Sequence, residues 1–253
     1  MRHEGGKYFT FAALEIFRFK KFSMQHHESP MPIGTDSVLL GSWVALQHSK
    51  HILDVGTGCG LLALMCAQRS ENSQITGIDI SEKAINESKE NATQSPWSNR
   101  IKFVHTSLQK HISQAPLDLI LSNPPYFNSK GLKSKYTERA HARHNSKLPL
   151  DVLFEYAFKN LSLKGCLTLV LPYSCLQELQ ELAEENKLHC SRMLRIRPHP
   201  NKAFNRLLIA FTKRPRETDI QNLSIRTEQG QYSPEYRQLT QEFYLLYCKD
   251  SST

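Results

Sequence analysis

The chain has 253 residues, 40% of them hydrophobic and 22% charged, which is too apolar for a disordered polypeptide and long enough to enclose a sizeable core. Lysine and arginine number 32 against 24 aspartates and glutamates, a net charge of +8 at pH 7 that is compatible with simple solubility or with a polyanionic partner such as nucleic acid. The six cysteines show no Cys-x-x-Cys pair and no histidine at zinc spacing, and no apolar run has signal-peptide or membrane-spanning character, so free thiols, no metal, no membrane and a cytoplasmic location are expected.

Short apolar runs alternate with helix-like stretches, the pattern of parallel strands joined by crossover helices. Seven strands are predicted in chain order: His51–Val55, Ile75–Ile80, Ile101–His105, Leu117–Leu121, Cys166–Leu171, Ser191–Ile196 and Leu207–Thr212. Between the first two, Leu61, Leu62, Leu64, Met65 and Ala67 form a helical face; between the second and third, Ser81 reads as a helix cap with Ala84, Ile85 and Ser88 turned inward. The pattern breaks from Phe127 to Pro149, where Lys130, Lys133, Lys135, Arg139, Arg143 and Lys147 stand against the single Glu138, a balance of +5. A structureless stretch of that size is usually a functional or a disordered loop. Periodicity resumes with Leu150, Leu153, Phe154, Ala157 and Leu161, and Gly165 reads as the end of that helix. No linker or internal repeat divides the chain, so 1–253 is expected to be a single domain with extensions at 1–49 and 214–253.

Two motifs carry chemistry. In Leu53-Asp54-Val55-Gly56-Thr57-Gly58-Cys59-Gly60-Leu61 a strand runs through a glycine turn into a helix, and three alternating glycines are more than a turn alone requires. A dinucleotide loop would need a glycine where Leu61 stands; the observed register, with an aspartate near the strand's end, resembles the loop of S-adenosylmethionine-dependent methyltransferases. That resemblance makes Asp79, at the end of the second strand, the acceptor for the two ribose hydroxyls of the cofactor, a role suited to the two oxygens of a carboxylate. The second motif is Ser122-Asn123-Pro124-Pro125-Tyr126 at the end of the fourth strand. Two prolines stiffen the turn and donate nothing, so a planar amine bonded to the Asn123 oxygen and the Pro124 carbonyl would have both protons engaged and its lone pair aimed at an incoming methyl group. Tyr126, and Pro125 beside it, would give a flat base a surface to stack on.

With Ile33-Gly34-Thr35-Asp36-Ser37, Gln94-Ser95-Pro96-Trp97, Ala142-Arg143-His144, Tyr232-Ser233-Pro234-Glu235-Tyr236 and Leu239-Thr240-Gln241-Glu242-Phe243 added, the whole chain from about Phe9 resembles the bacterial tRNA1(Val) adenine-N6 methyltransferases, which modify the adenine 3′ of the anticodon. The resemblance implies an α/β fold of the Rossmann-like class I methyltransferase type, with a seven-stranded mostly parallel sheet and helices on both faces. It implies a cofactor site of Thr35, Asp36, Asp54, Gly56, Gly58, Gly60, Asp79, Ser107 and Asn123, with Thr35 and Asp36 toward the methionine end. A helix cap opening the run Val38, Leu39, Leu40 is an equally good reading of Thr35 and Asp36. Asn123, Pro124 and Tyr126 would be catalytic; Pro125, Tyr126, Lys130, Lys133, Lys135, Arg139 and Arg143 would bind the tRNA anticodon stem-loop, with Arg192, Arg195, Arg197, Lys202 and Arg206 as further phosphate contacts. The protein would act as a monomer. One departure is that His105-Thr106-Ser107-Leu108 lacks the family's acidic residue after the third strand, so Ser107 or a backbone group is expected to take its place.

Three rivals share the motifs. A glutamine-N5 methyltransferase of release factors also uses Asn-Pro-Pro-Tyr but carries a helical substrate domain, for which the 50 residues before His51 leave little room. A guanine-N2 rRNA methyltransferase is a further variant. A non-catalytic RNA-binding module on the same fold would have no use for Asn123 or the three glycines.

Overall fold

A computed structural model describes residues 16–25, 34–125 and 148–245. After a hairpin of β1 (Ile16–Arg18) and β2 (Ser23–Gln25) come α1 (Thr35–Trp43), β3 (His51–Val55), α2 (Leu61–Arg69), β4 (Gln74–Asp79), α3 (Glu82–Thr93), β5 (Ile101–His105) and β6 (Leu117–Ser122). The second half adds α4 (Leu150–Asn160), β7 (Leu161–Pro172), α5 (Leu176–Glu185), β8 (His189–Arg197), β9 (Arg206–Thr212), β10 (Asp219–Ser224) and α6 (Pro234–Thr240). No helix among the described residues is long and apolar enough to cross a membrane.

All seven predicted strands are present in one sheet of order β10-β8-β9-β7-β6-β3-β4-β5. Only β9 is antiparallel to its neighbours. The eighth strand, β10, pairs parallel to β8. It escaped the sequence reading because Asp219-Ile220-Gln221-Asn222-Leu223-Ser224 is an exposed edge strand that buries only Leu223, so it carries no apolar run. Gly165 also differs from expectation. The helix ends at Asn160 and Gly165 lies inside β7, where an added Cβ would stand 2.5 Å from the Leu117 carbonyl oxygen, beside the register shift between β6 and β7. Glycine is there for close backbone approach, not as a helix stop.

Two apolar layers flank the sheet. On one face α1, α2 and α3 place Leu39, Leu40, Leu62, Ala63 and Ile85 against Ile52, Leu119, Leu121 and Leu208. On the other, α4 and α5 bring Leu153, Phe154, Ala157 and Leu179 onto Leu53, Ile120, Leu169 and Ile209. Ser81 caps α3 as read, accepting from the Ala84 N–H at 3.3 Å. Neither Thr35 nor Asp36 caps α1; Gly34 holds that position and the two lie in the first turn. The hairpin buries Phe19, Phe22 and Met24 against Leu61, Leu64, Met65 and Phe243, and the Lys20 N–H donates to the Phe243 carbonyl at 2.9 Å, so both ends of the described chain close over α2. Burial raises the thiols of Cys59 and Cys66 to about 12, and the five cysteines in the described residues are free.

Candidate active site

The parallel strands β3, β4, β5 and β6 end on the same edge, and the order reverses between β3 and β6, where open α/β sheets form their ligand crevice. The glycine loop leaves β3 here and is tied to β4: the N–H groups of Gly56 and Thr57 donate to the Ile78 carbonyl at 2.9 and 3.0 Å, and the Gly58 N–H donates to Asp79 Oδ2 at 3.0 Å. Gly56, Gly58 and Gly60 have φ of 70°, 54° and 86°, in the left-handed region that disfavours side chains. They do different work. A Cβ on Gly56 would meet nothing within 4 Å, so the loop leaves space for a ligand against its backbone. A Cβ on Gly60 would press on Phe103 and Ser88 at 3.0 and 3.1 Å, which makes Gly60 a packing residue at the start of α2.

Asp54 is fully buried beneath the loop, where the Thr57 hydroxyl donates to Oδ2 at 2.6 Å. Desolvation raises its carboxyl to about 7, opposed by the Thr57 hydroxyl and the nearby Ala63 N–H and reinforced by the Asp79 charge. Its Oδ1 closes no hydrogen bond of ordinary geometry, the Ala63 amide favouring the charged form without completing one. Asp54 is thus a buried strut of the loop. Asp79 Oδ1 accepts from the Ser81 N–H at 2.9 Å, so its two oxygens fix both the glycine loop and the start of α3. Ser107 is brought alongside, because the Thr106 N–H donates to the Asp79 carbonyl at 3.0 Å.

On the other side of the crevice the Ser122 hydroxyl donates to the Val55 carbonyl at 2.7 Å, pinning the end of β6 to the end of β3. The next residue, Asn123, donates from Nδ2 to Ser37 Oγ at 2.9 Å. An amide whose nitrogen is committed to one side presents its oxygen, the acceptor, on the other. Ser37 carries no signal in the sequence beyond its place beside Thr35 and Asp36. It is held because α1 buries Val38, Leu39 and Leu40, packs Gly41 where a Cβ would stand 2.6 Å from Met65 Sδ, and has its final carbonyls, Gly41 and Val44, bound by Arg69 Nη1 at 2.7 and 2.9 Å. Asp36 pairs with Arg206 Nε at 2.8 Å. Pro124 is buried and Pro125 half-buried. Tyr126, Lys130, Lys133, Lys135, Arg139 and Arg143 lie outside the described residues. Of the other arginines, Arg195 and Arg197 donate from Nε to Asn222 and Ser224 at 2.8 Å with Phe204 beneath them, and Arg192 lies over Trp43.

The crevice, the glycine loop and the Asn-Pro-Pro turn define a class I methyltransferase, and residues 32–171 match the family described as the methyltransferase small domain. The fold is shared with a predicted O-methyltransferase of Agrobacterium tumefaciens, with a TM-score of 0.61 at 19% identity over 82% of this chain and 96% of that one. Sequence relatives narrow the class. The tRNA1(Val) (adenine(37)-N6)-methyltransferase of Vibrio campbellii is 41% identical over 90% of this chain and 95% of its own length, and that of Bacteroides thetaiotaomicron 38% identical over 91% and 97%. The chain belongs to the tRNA1(Val) (adenine(37)-N6)-methyltransferase family.

Proposed function

We infer that the protein transfers a methyl group from S-adenosylmethionine to N6 of adenine 37 in tRNA1(Val). The observation that carries this reading is Asn123 at the carboxyl end of β6, its amide oriented by Ser37, facing the crevice beside an open glycine loop. Gly56, Gly58 and Asp79 suit the cofactor: the first leaves room against the backbone, and Asp79, already the anchor of the loop, retains lone pairs for ribose hydroxyls, each carboxylate oxygen accepting more than one donor. Ser107 stands where the family's acidic residue would contact the adenine end, and Thr35 and Asp36 open the helix at the methionine end.

When bound, S-adenosylmethionine supplies an electrophilic methyl group on a cationic sulfur. The protein's work is orientation. The Asn123 oxygen and the Pro124 carbonyl each take one N–H of the adenine amine, drawing its lone pair out of conjugation and along the line of transfer. With the amine so held, the N–C bond would form as the S–C bond broke, the neutral thioether would leave, and the extra proton on N6 would pass to water. Tyr126 stacks on the base, and the basic residues Lys130 to Arg143 hold the phosphates of the anticodon stem-loop. Residues 1–49 and 214–253 extend a single domain, the first of them supplying Thr35, Asp36 and Ser37, and the protein works as a monomer in the cytoplasm.

The test incubates the protein with methyl-labelled S-adenosylmethionine and, separately, unmodified tRNA or a release factor, followed by digestion. Label in N6-methyladenosine of the anticodon loop is expected. Label confined to the protein substrate, or in N2-methylguanosine, refutes the assignment.

A further inference from the structure

Beyond the crevice, a cavity of about 290 Å³ opens on the same edge of the sheet, between the start of α1, the ends of β8 and β10 and the start of α6; its walls include Thr35, Asp36, Asn205, Arg206, Arg226 and Tyr232. Its chemistry is specific. Two arginines line it against one aspartate, and that aspartate is already paired with Arg206. Arg226 lies with Cζ 4.6 Å from the Tyr232 ring centre while Nη1 donates to the Gly230 carbonyl at 2.7 Å. Tyr232 in turn stacks on Tyr236, centroids 5.0 Å apart and planes 18° from parallel, and Tyr236 is buried. The result is a column of flat groups rooted in the core and ending at a guanidinium, a group that stacks on bases and grips phosphate in two directions. The volume lies at the small end of ligand pockets, the size of a single nucleotide and too small for a whole dinucleotide.

Position joins this cavity to the reaction. Thr35 and Asp36 form part of its wall, and Ser37, the next residue, holds Asn123. We propose that this cavity receives the nucleotide adjoining the target adenine, its phosphate between Arg206 and Arg226 and its base against the Tyr232–Arg226 stack. The inference rests on the tRNA reading above and adds to it a recognition subsite built from the C-terminal third of the chain. The Asp36–Arg206 pair then has a purpose: it holds Arg206 in place between the cofactor side and the RNA side of the crevice. A flipped adenine must be extracted from a stack, and a binding site for its neighbour keeps the backbone splayed while the base is turned inward.

The experiment measures methylation of a synthetic anticodon stem-loop by wild type, Arg226→Gln and Tyr232→Leu, the latter retaining an apolar group against Tyr236. Each variant is expected to raise the RNA KM about tenfold with kcat within about twofold, with unchanged KM for S-adenosylmethionine and unchanged melting temperature. Arg226→Gln should also lower the slope of log affinity against log salt by about one. Removing the base of nucleotide 36 or 38 should raise KM for wild type at one of these positions and add nothing further in Tyr232→Leu. Variants that match wild type on every RNA overturn the subsite and leave the assigned reaction standing, and a change confined to the S-adenosylmethionine KM does the same by making the cavity part of the cofactor site. Absence of methylation of any RNA by the wild type overturns both.

Discussion

Replacing Asp54 with Asn tests the electrostatics of the glycine loop. The carboxyl is fully buried with Thr57 as its one hydroxyl donor, and burial raises its pKa from 3.8 to about 7. A carboxyl whose folded-state pKa lies above its unfolded value remains protonated in the native state while the unfolded chain ionises. Its contribution to stability is therefore intact below about pH 4, falls as pH rises to about 7, and is constant beyond. Three pKa units at 1.36 kcal/mol each make the full loss about 4 kcal/mol, of which roughly half falls between pH 5 and pH 7. Asn keeps the shape and can still accept from Thr57, and any cost of its second amide proton is the same at every pH. The difference in unfolding free energy between Asp54→Asn and wild type should thus shift by 2 to 3 kcal/mol in favour of the variant from about pH 5 to pH 7, then level off. Urea unfolding of both proteins across this range measures it directly, other titrating groups cancelling in the difference. Parallel stability profiles would show that Asp54 is ionised in the folded protein and that the buried carboxyl is compensated by more than Thr57.

Three further outcomes are expected. Asn123→Ala should abolish methyl transfer with little change in S-adenosylmethionine affinity by calorimetry; equal loss of both would remove Asn123 from the reacting centre. Ser37→Ala should lower kcat about tenfold at unchanged stability, the worth of one orienting hydrogen bond, with activity restored by Thr, and an unchanged kcat would show that Asn123 is oriented by other means. Joint replacement of Arg139 and Arg143 by Glu should raise the RNA KM and flatten its salt dependence, a result visible in activity at two ionic strengths; an unchanged slope would show that neither arginine contacts the RNA phosphates.

Much of this protein is legible from local sequence because the signals are local. Parallel strands buried on both faces read as apolar runs, so β3 to β9 stand out, whereas β10, with five of its six residues facing solvent or half-buried, does not. Gly56, Gly58 and Gly60 are recognisable as a set, yet their division of labour depends on what lies above each one: open space at Gly56, and at Gly60 Phe103 from a strand more than forty residues later. Asn123 announces itself by the prolines that follow. Its partner Ser37 does not, since 86 residues separate them and only the packing of α1 on α2 and the sheet brings the hydroxyl to the amide. Chain chemistry thus gives the class of fold, the loop that suits a nucleoside cofactor and the turn proposed to hold an amine. Tertiary structure alone decided that Asp54 is a buried strut, that Asp36 pairs with Arg206 170 residues away, and that Tyr232 and Arg226 line a cavity beside the crevice, because burial and long-range pairing are properties of the assembled layers and of no single segment.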